Sequence, residues 1–179
     1  MQTYIVHWQF PDQESHMQGA EAFAGFVEGG CEGDEFDGFK VLNRVVNPEG
    51  ANGWAIVESS NHQNIWKWSS IWVDNFGVEI EVTPVLTDQE SHMQGAEAFA
   101  GFVEGGCEGD EFDGFKVLHR VVNPEGANGW AIVESSNHQN IWKWSSIWVD
   151  NFGVEIEVTP VLTDKEFLSV HKEIAAASN

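Results

Sequence analysis

The chain has 179 residues, of which 42% are hydrophobic and 12% aromatic, enough apolar material to fill the core of a globular protein. Its 29 acidic and 8 basic residues give a formal net charge of −21, which argues against nucleic acid or an anionic membrane as a partner, because phosphate groups are bound by clustered Lys and Arg. Solubility is the plainer explanation of this charge, and an acidic surface for a basic partner is the alternative.

The first thirty residues predict a strand followed by a helix. Apolar and polar side chains alternate from Thr3 to Phe10, which is the period of two that is typical of a strand. Asp12 then offers a helix cap, and apolar residues recur at helical spacing from Met17 to Val27. The paired glycines that follow mark the end of this helix.

The next residues predict two more strands, a second helix and a fourth strand. The second and third strands cover 39–46 and 54–60, joined by the turn sequence NPEGANG. An amphipathic helix is predicted over 62–76 and a strand over 78–87. The order strand–helix–strand–strand–helix–strand is that of a ferredoxin-like α+β unit.

Most of this unit then occurs a second time. Residues 12–87 recur as 88–163, and the one difference is Asn43 in the first copy against His119 in the second. Removing one 76-residue copy from the 179 residues leaves 103, a normal size for one small domain. By its parity, residue 43 either faces the helices or lies at a distortion of its strand.

The repeat sets the expected domain organisation. The first ferredoxin-like unit covers 1–87, the near-identical second unit covers 88–163, and residues 164–179 form a tail with a short helix. The tail helix uses Phe167, Val170 and Ile174 as its apolar side.

The second copy has no counterpart of the first strand, so the chain offers seven strands where two complete units would have eight. Aligning 3–11 with 79–87 keeps every apolar position on the same face, although Pro84 stands where Trp8 stood. We therefore expect 79–87 to close the first unit and to occupy the opening-strand position of the second, with an irregular seam around 78–90. A sheet edge or barrel face left open would favour self-association.

Four segments resemble a family of small proteins of unknown function within the dimeric α+β barrel group, whose members pair two ferredoxin-like sheets face to face. They are YIVHWQFP, GWAIVES, IWVD and VEIEVTPVLTD, in this order. The resemblance implies two ferredoxin-like units fused into a pseudo-two-fold α+β barrel, the second unit lacking its own first strand. It brings no established chemistry with it.

Charged residues on the strands predict a polar cavity between the two sheets. Lys40 and Arg44 are an even number of residues apart, so on a regular strand they lie on the same face. A face covered by helices would not accommodate both charges. Arg44 is therefore expected on the face turned to the partner sheet. His7 has the same parity on its strand. The candidate cavity and ligand-binding residues are His7, Arg44, Trp54, Glu58, Arg120, Trp130 and Glu134.

These residues support two functions and one structural alternative. The first function is a small-molecule-binding or structural protein with no established activity. The second is a cofactor-independent oxygenase or isomerase acting on a small aromatic or ketone substrate, with His7 and Glu58 or Glu134 as acid and base, the two arginines stabilising an anion, and Trp54 or Trp130 as a wall. In the structural alternative, Arg44 and Glu58 form a salt bridge and His7 is a polar filler.

Other motifs predict neither a metal nor a cofactor, and they place the protein in the cytoplasm. The acidic loop 28–39 lacks the EF-hand spacing, and no histidines are spaced as zinc ligands on a helix. No apolar run approaches the ~20 residues of a membrane-spanning helix, and the amino terminus lacks a secretory signal. Cys31 and Cys107 form no CxxC pair, which fits a reducing compartment.

Overall fold

A computed structural model describes residues 1–88, 90, 107–123 and 125–177, without the side chains of 151 and 152. The first helix of the second copy, which the repeat places within 88–106, lies almost wholly outside the described residues. The described strands are β1 Gln2–Gln9, β2 Glu35–Phe36, β3 Phe39–Asn47, β4 Asn52–Ser59, β5 Glu79–Thr87, β6 Glu111–Phe112, β7 Phe115–Asn123, β8 Asn128–Ser135 and β9 Leu162–Thr163. The described helices are α1 Gln13–Glu28, α2 His62–Phe76, α3 His138–Phe152 and α4 Asp164–Ala177.

The predicted α+β class and the internal repeat are confirmed. The chain forms two compact units, which do not follow the repeat boundaries: unit 1 comprises 1–84 together with 159–179, and unit 2 comprises 85–158. None of the helices in the described part of the chain is both long and apolar enough to cross a membrane.

Unit 1 has an antiparallel sheet with helices on one face. Its strand order is β2-β3-β4-β1-β5, and the short β9 pairs with β3. The core on the helix side is formed by Tyr4 and Val6 of β1, Ala55 and Val57 of β4, and Ile65 of α2. A second cluster joins α1, β3 and α4 through Ala24, Val46 and Phe167, so the carboxyl-terminal helix is part of the same covered face.

A β-bulge changes the face on which the second half of β3 presents its side chains. Lys40 lies opposite Glu58, but the register shifts between Val41 and Asn43, and Arg44 lies opposite Ala55. Because Ala55 belongs to the helix-covered core, Arg44 points under the helices. The expectation that Arg44 shares the face of Lys40 is therefore wrong.

The same bulge lies between Val117 and His119 in β7. The one position that differs between the copies, Asn43 or His119, therefore sits at a strand distortion. The sequence left two placements open for residue 43, facing the helices or lying at a strand distortion, and the structure shows the second.

The end of β5 does not supply the missing opening strand of the second copy. In unit 1, β1 pairs with β4 along its whole length, so an opening strand for the second copy would have to pair with β8. Instead, Leu86 and Thr87 pair with Val122 and Val121 of β7. The expected opening-strand role is wrong, because β5 is already hydrogen-bonded to β1 and its last residues meet β7 rather than β8.

The fourth strand of the second copy is almost absent, although its sequence repeats that of β5. Residues 154–161 have the same letters as 78–85, but no strand is formed before β9 begins at Leu162. Val154 is 42% exposed, whereas its counterpart Val78 is 4% exposed. The described residues contain no counterpart of β1 with which 154–161 could pair. The seventh predicted strand is therefore reduced to the two residues of β9.

Candidate functional site

A cavity lies between the sheet of unit 1 and the helices that cover it. Its volume is about 70 Å³, several times the ~10–15 Å³ that one water molecule requires. Its wall is largely apolar, with aromatic side chains from β1, α1, α2, α4 and the residue after β1. The aromatic lining side chains are Trp8, Phe10, Phe23, Trp68, Trp72 and Phe167.

Few polar side chains reach this cavity, and one of them, His16, matters for binding. The Asn52 side chain points away from the helices: it donates from Nδ2 to Gln9 Oε1 (3.1 Å), and Gln9 is on the face of β1 that carries His7. Burial lowers the pKa of His16, so this ring is neutral at pH 7 and can both donate and accept. A neutral imidazole nitrogen can accept from a ligand that carries an N–H or O–H group.

Arg44 reaches the edge of the cavity, but protein groups occupy its guanidinium. Nε and Nη2 donate to the two oxygens of Asp164 at 3.1 and 2.6 Å, and Nη1 donates to Asp34 at 3.0 Å. Burial on its own lowers the pKa of Arg44, and the hydrogen bonds and charges of Asp164 and Asp34 outweigh it and raise that pKa. The rings of Phe23 and Phe26 lie 5.0 and 5.3 Å from its Cζ. Arg44 thus holds α4 and the acidic loop to the sheet.

Cys31 belongs to the same cluster without being activated as a nucleophile. Its sulfur lies 3.4 Å from Arg44 Nη2. Burial raises the pKa of the Cys31 thiol; Arg44 opposes this, and the carboxylates of Asp34 and Asp164 add to it. The thiol is therefore protonated at neutral pH, whereas cysteine nucleophiles act as thiolates.

Unit 2 repeats the ionic part of this arrangement. Arg120 pairs with Asp88 and Asp110, as Arg44 pairs with Asp164 and Asp34. Trp144 Nε1 donates to Asp110 at 3.0 Å, matching the bond from Trp68 to Asp34. The two clusters are thus built from equivalent repeat positions.

Helix capping explains why the aspartate that begins each repeat has two roles. Asp12 follows Pro11, which has no hydroxyl, and its carboxylate caps α1 by accepting from the Ser15 amide (2.8 Å). Asp164 is the equivalent of Asp12 at the start of α4, but there Thr163 and Glu166 cap the helix reciprocally. The carboxylate of Asp164 can therefore bind Arg44. None of Asp34, Asp164 and His16 was predicted as a site residue; the Thr-Asp pair repeated at 87–88 and 163–164 was a usable signal for Asp164 alone.

The structure divides the predicted site residues between two faces of the sheet. His7 stacks on Trp54 with ring centroids 5.1 Å apart, on the face opposite the helices. Glu58 is on that face too, but it pairs with Thr3, four residues from His7, or about 13 Å along the strand. Arg44 lies on the other face and pairs with Asp34 and Asp164 rather than Glu58.

Their counterparts in unit 2 are divided in the same way. Glu134 lies opposite Lys116, whereas Arg120 lies opposite Ala131 after the bulge, and Trp130 lies opposite Val121. Among the seven candidates, the ring contact that the structure describes joins His7 and Trp54. A role of any of them in ligand binding stays a prediction.

The acidic loop is used for ion pairs. Asp34 binds Arg44 and Trp68, and Glu35 lies 3.6 Å from Lys40 Nζ. In the described residues no group of three or more His, Cys, Asp or Glu side chains is placed to hold a metal ion.

Comparisons with known proteins identify the family. Among solved structures, a "putative monooxygenase" from Lactobacillus acidophilus NCFM is 10% identical over 92% of this chain and 95% of its own, with a TM-score of 0.47. An uncharacterised protein from Thermotoga maritima is 16% identical over 46% of this chain and 95% of its own, with a TM-score of 0.28. No curated protein matches. A family model described as a domain of unknown function (DUF3303) matches residues 2–93 and again 89–175, so the chain belongs to this family and carries its domain twice.

Proposed function

We propose that unit 1 binds a small, uncharged, largely aromatic molecule in the cavity beneath its helices. The observation that carries this proposal is the cavity itself, whose wall combines six aromatic side chains with the neutral ring of His16. Ligand pockets typically combine apolar walls with a few polar groups that fix orientation. The activity of the family is not established, and the proposal concerns binding alone.

The charges around the cavity restrict the ligand. Arg44 is offset by two carboxylates, Asp34 and Asp164, so the cluster has a net charge of −1. His16 is neutral at pH 7 because burial lowers its pKa. An anionic ligand would therefore find no unpaired positive charge among these groups, whereas a phenol or an indole offers both an aromatic ring and a donor for the neutral His16 ring.

Titration calorimetry with phenol, indole and 2-naphthol tests the proposal. We expect saturable binding of at least one of them, and benzofuran, which resembles indole but lacks its N–H, should bind several-fold more weakly because it has no donor for His16. Absence of binding by all three donors contradicts the proposal.

The repeat offers a matched pair of variants for the same experiment. Ser69 lines the cavity, and its equivalent Ser145 makes the same helix hydrogen bond, to Trp142 O rather than to Trp66 O. Ser69→Leu places a larger side chain against the cavity and should abolish binding, whereas Ser145→Leu should leave it unchanged. Equal loss in both variants would assign the binding to another place.

We infer that the two copies adopt the fused, ferredoxin-like α+β barrel that the sequence predicts. The strand order β3-β4-β1-β5, with α1 and α2 as the intervening helices, supports the ferredoxin-like assignment of unit 1. The ends of the two fourth strands support the fusion, because 86–87 pair with β7 of the second copy and 162–163 pair with β3 of the first. Hydrogen exchange should be slow at the amides of 86–87 and 162–163 if these strand ends are paired; fast exchange at both would contradict the inference.

A further inference from the structure

Strand β8 repeats a strand-binding edge whose partner strand occurs once in the chain. β4 and β8 have the same sequence, NGWAIVES. β4 pairs antiparallel with all of β1, from Gln2 opposite Ser59 to Gln9 opposite Asn52. In the described part of the chain β8 pairs with β7 alone. The chain thus contains two copies of the edge that binds β1 and a single β1.

The core of unit 2 is incomplete at the place where β1 would lie. Tyr4 and Val6 of β1 complete the core of unit 1, in which Ala55 and Val57 are fully buried. Their counterparts in β8 are not: Ala131 is exposed and Val133 is only partly buried. Beyond α3, Val154, Ile156 and Val158 are each at least 40% exposed. In the described part of unit 2, apolar side chains and a strand edge are therefore both open.

We propose that the edge of β8 is an acceptor site for a donor strand with the sequence of β1. A strand added to an open edge gains main-chain hydrogen bonds, and the alternate side chains that enter the core determine which sequence fits. For β8 that fit follows from unit 1, where an edge of identical sequence already holds Tyr4, Val6 and Trp8 on the core side. The ligand is thus an extended peptide with large apolar residues at alternate positions.

A second copy of the chain could supply this strand only by losing the pairing between its own β1 and β4. Ile5 and Val6 are buried in unit 1, so withdrawing β1 would open the edge of β4 in the donor while closing that of β8 in the acceptor. The occupant is therefore a free segment. A synthetic peptide of residues 1–11 has the required sequence.

Fluorescence anisotropy with this labelled peptide and the full-length chain measures the binding. We expect saturable one-to-one binding. A peptide with Val6→Asp should bind at least about tenfold more weakly, because it places a charge in the apolar core. A peptide with Gln2→Asp carries the same charge at an exposed position and should bind like the parent peptide. Absence of binding, or equal binding by both variants, would overturn the proposal.

Disulfide trapping tests the register in a chain with Cys31→Ser and Cys107→Ser. Tyr4 lies opposite Val57 in unit 1, and Val133 is the counterpart of Val57. Cross-strand neighbours in antiparallel sheets are close enough for a disulfide. A Tyr4→Cys peptide should therefore join Val133→Cys, whereas Val57→Cys should stay unmodified because its edge is occupied. Equal adducts at both positions, or Val133→Cys chains that join each other in place of the peptide, would refute the assignment.

Discussion

Arg44 ties three parts of unit 1 together, since it lies on β3 and binds Asp34 of the acidic loop and Asp164 of α4. Arg44→Met keeps the length of the side chain and leaves both carboxylates without their counter-ion in a partly buried place. We expect a loss of about 3 kcal/mol in the free energy of unfolding, measured by urea denaturation.

Lys40→Met is the matched control on the same strand. Lys40 is half exposed and its contact with Glu35 is at 3.6 Å, so its replacement should cost less than about 1 kcal/mol. Similar losses for Arg44→Met and Lys40→Met would show that the buried cluster adds nothing beyond a surface ion pair.

His119 should make the stability of the chain depend on pH. Burial lowers its pKa below the usual 6.5, so the unfolded chain takes up a proton there at a higher pH than the folded chain. Stability must then fall as the pH drops through about 6.5, and it levels off below the folded pKa. The first copy supplies the control: in His119→Asn, denaturation between about pH 7.5 and pH 5 should show a smaller loss. An equal loss in both chains would mean that His119 titrates alike folded and unfolded.

At the scale of elements, one sequence takes two structures in this chain. Residues 78–85 enter β5 beside β1, whereas the identical 154–161 form no strand. Hydrogen exchange should therefore be slower in the first segment by about a hundredfold or more. Peptic fragments 78–91 and 154–167 can be told apart because residue 91 is Ser and residue 167 is Phe. Equal exchange rates would show that the second segment is also paired.

Local sequence signals predict some elements of this chain and not others. Alternation and caps predicted β1, α1, α2 and β5, because these signals are local. The fate of 154–161 was beyond local signals, since a strand depends on the partner beside it. The face of Arg44 was predicted wrongly because parity counting fails past a bulge, and nothing in FKVLNRVV marks one. His16 meets the aromatic side chains of β1 and the other helices only in the folded cavity.

At the scale of the whole molecule, the two units are unequal although their sequences repeat. Unit 1 has β1, α4 and two buried clusters, whereas in unit 2 the described counterparts of that core are more exposed. Unit 2 is also inserted between the two parts of unit 1 in the sequence, so it can open while both parts of unit 1 stay folded. We expect thermal unfolding in two steps, unit 2 first.

Matched core substitutions assign the two steps. Val45 and Val121 occupy equivalent positions on β3 and β7, and both are buried. Val121→Ala should lower the midpoint of the first step by several degrees and leave the second in place, because a cavity of this kind costs about 2 kcal/mol in the unit that contains it. Val45→Ala should lower the second midpoint instead. A single calorimetric transition that both variants shift equally would mean that the two units unfold as one cooperative body despite their unequal cores.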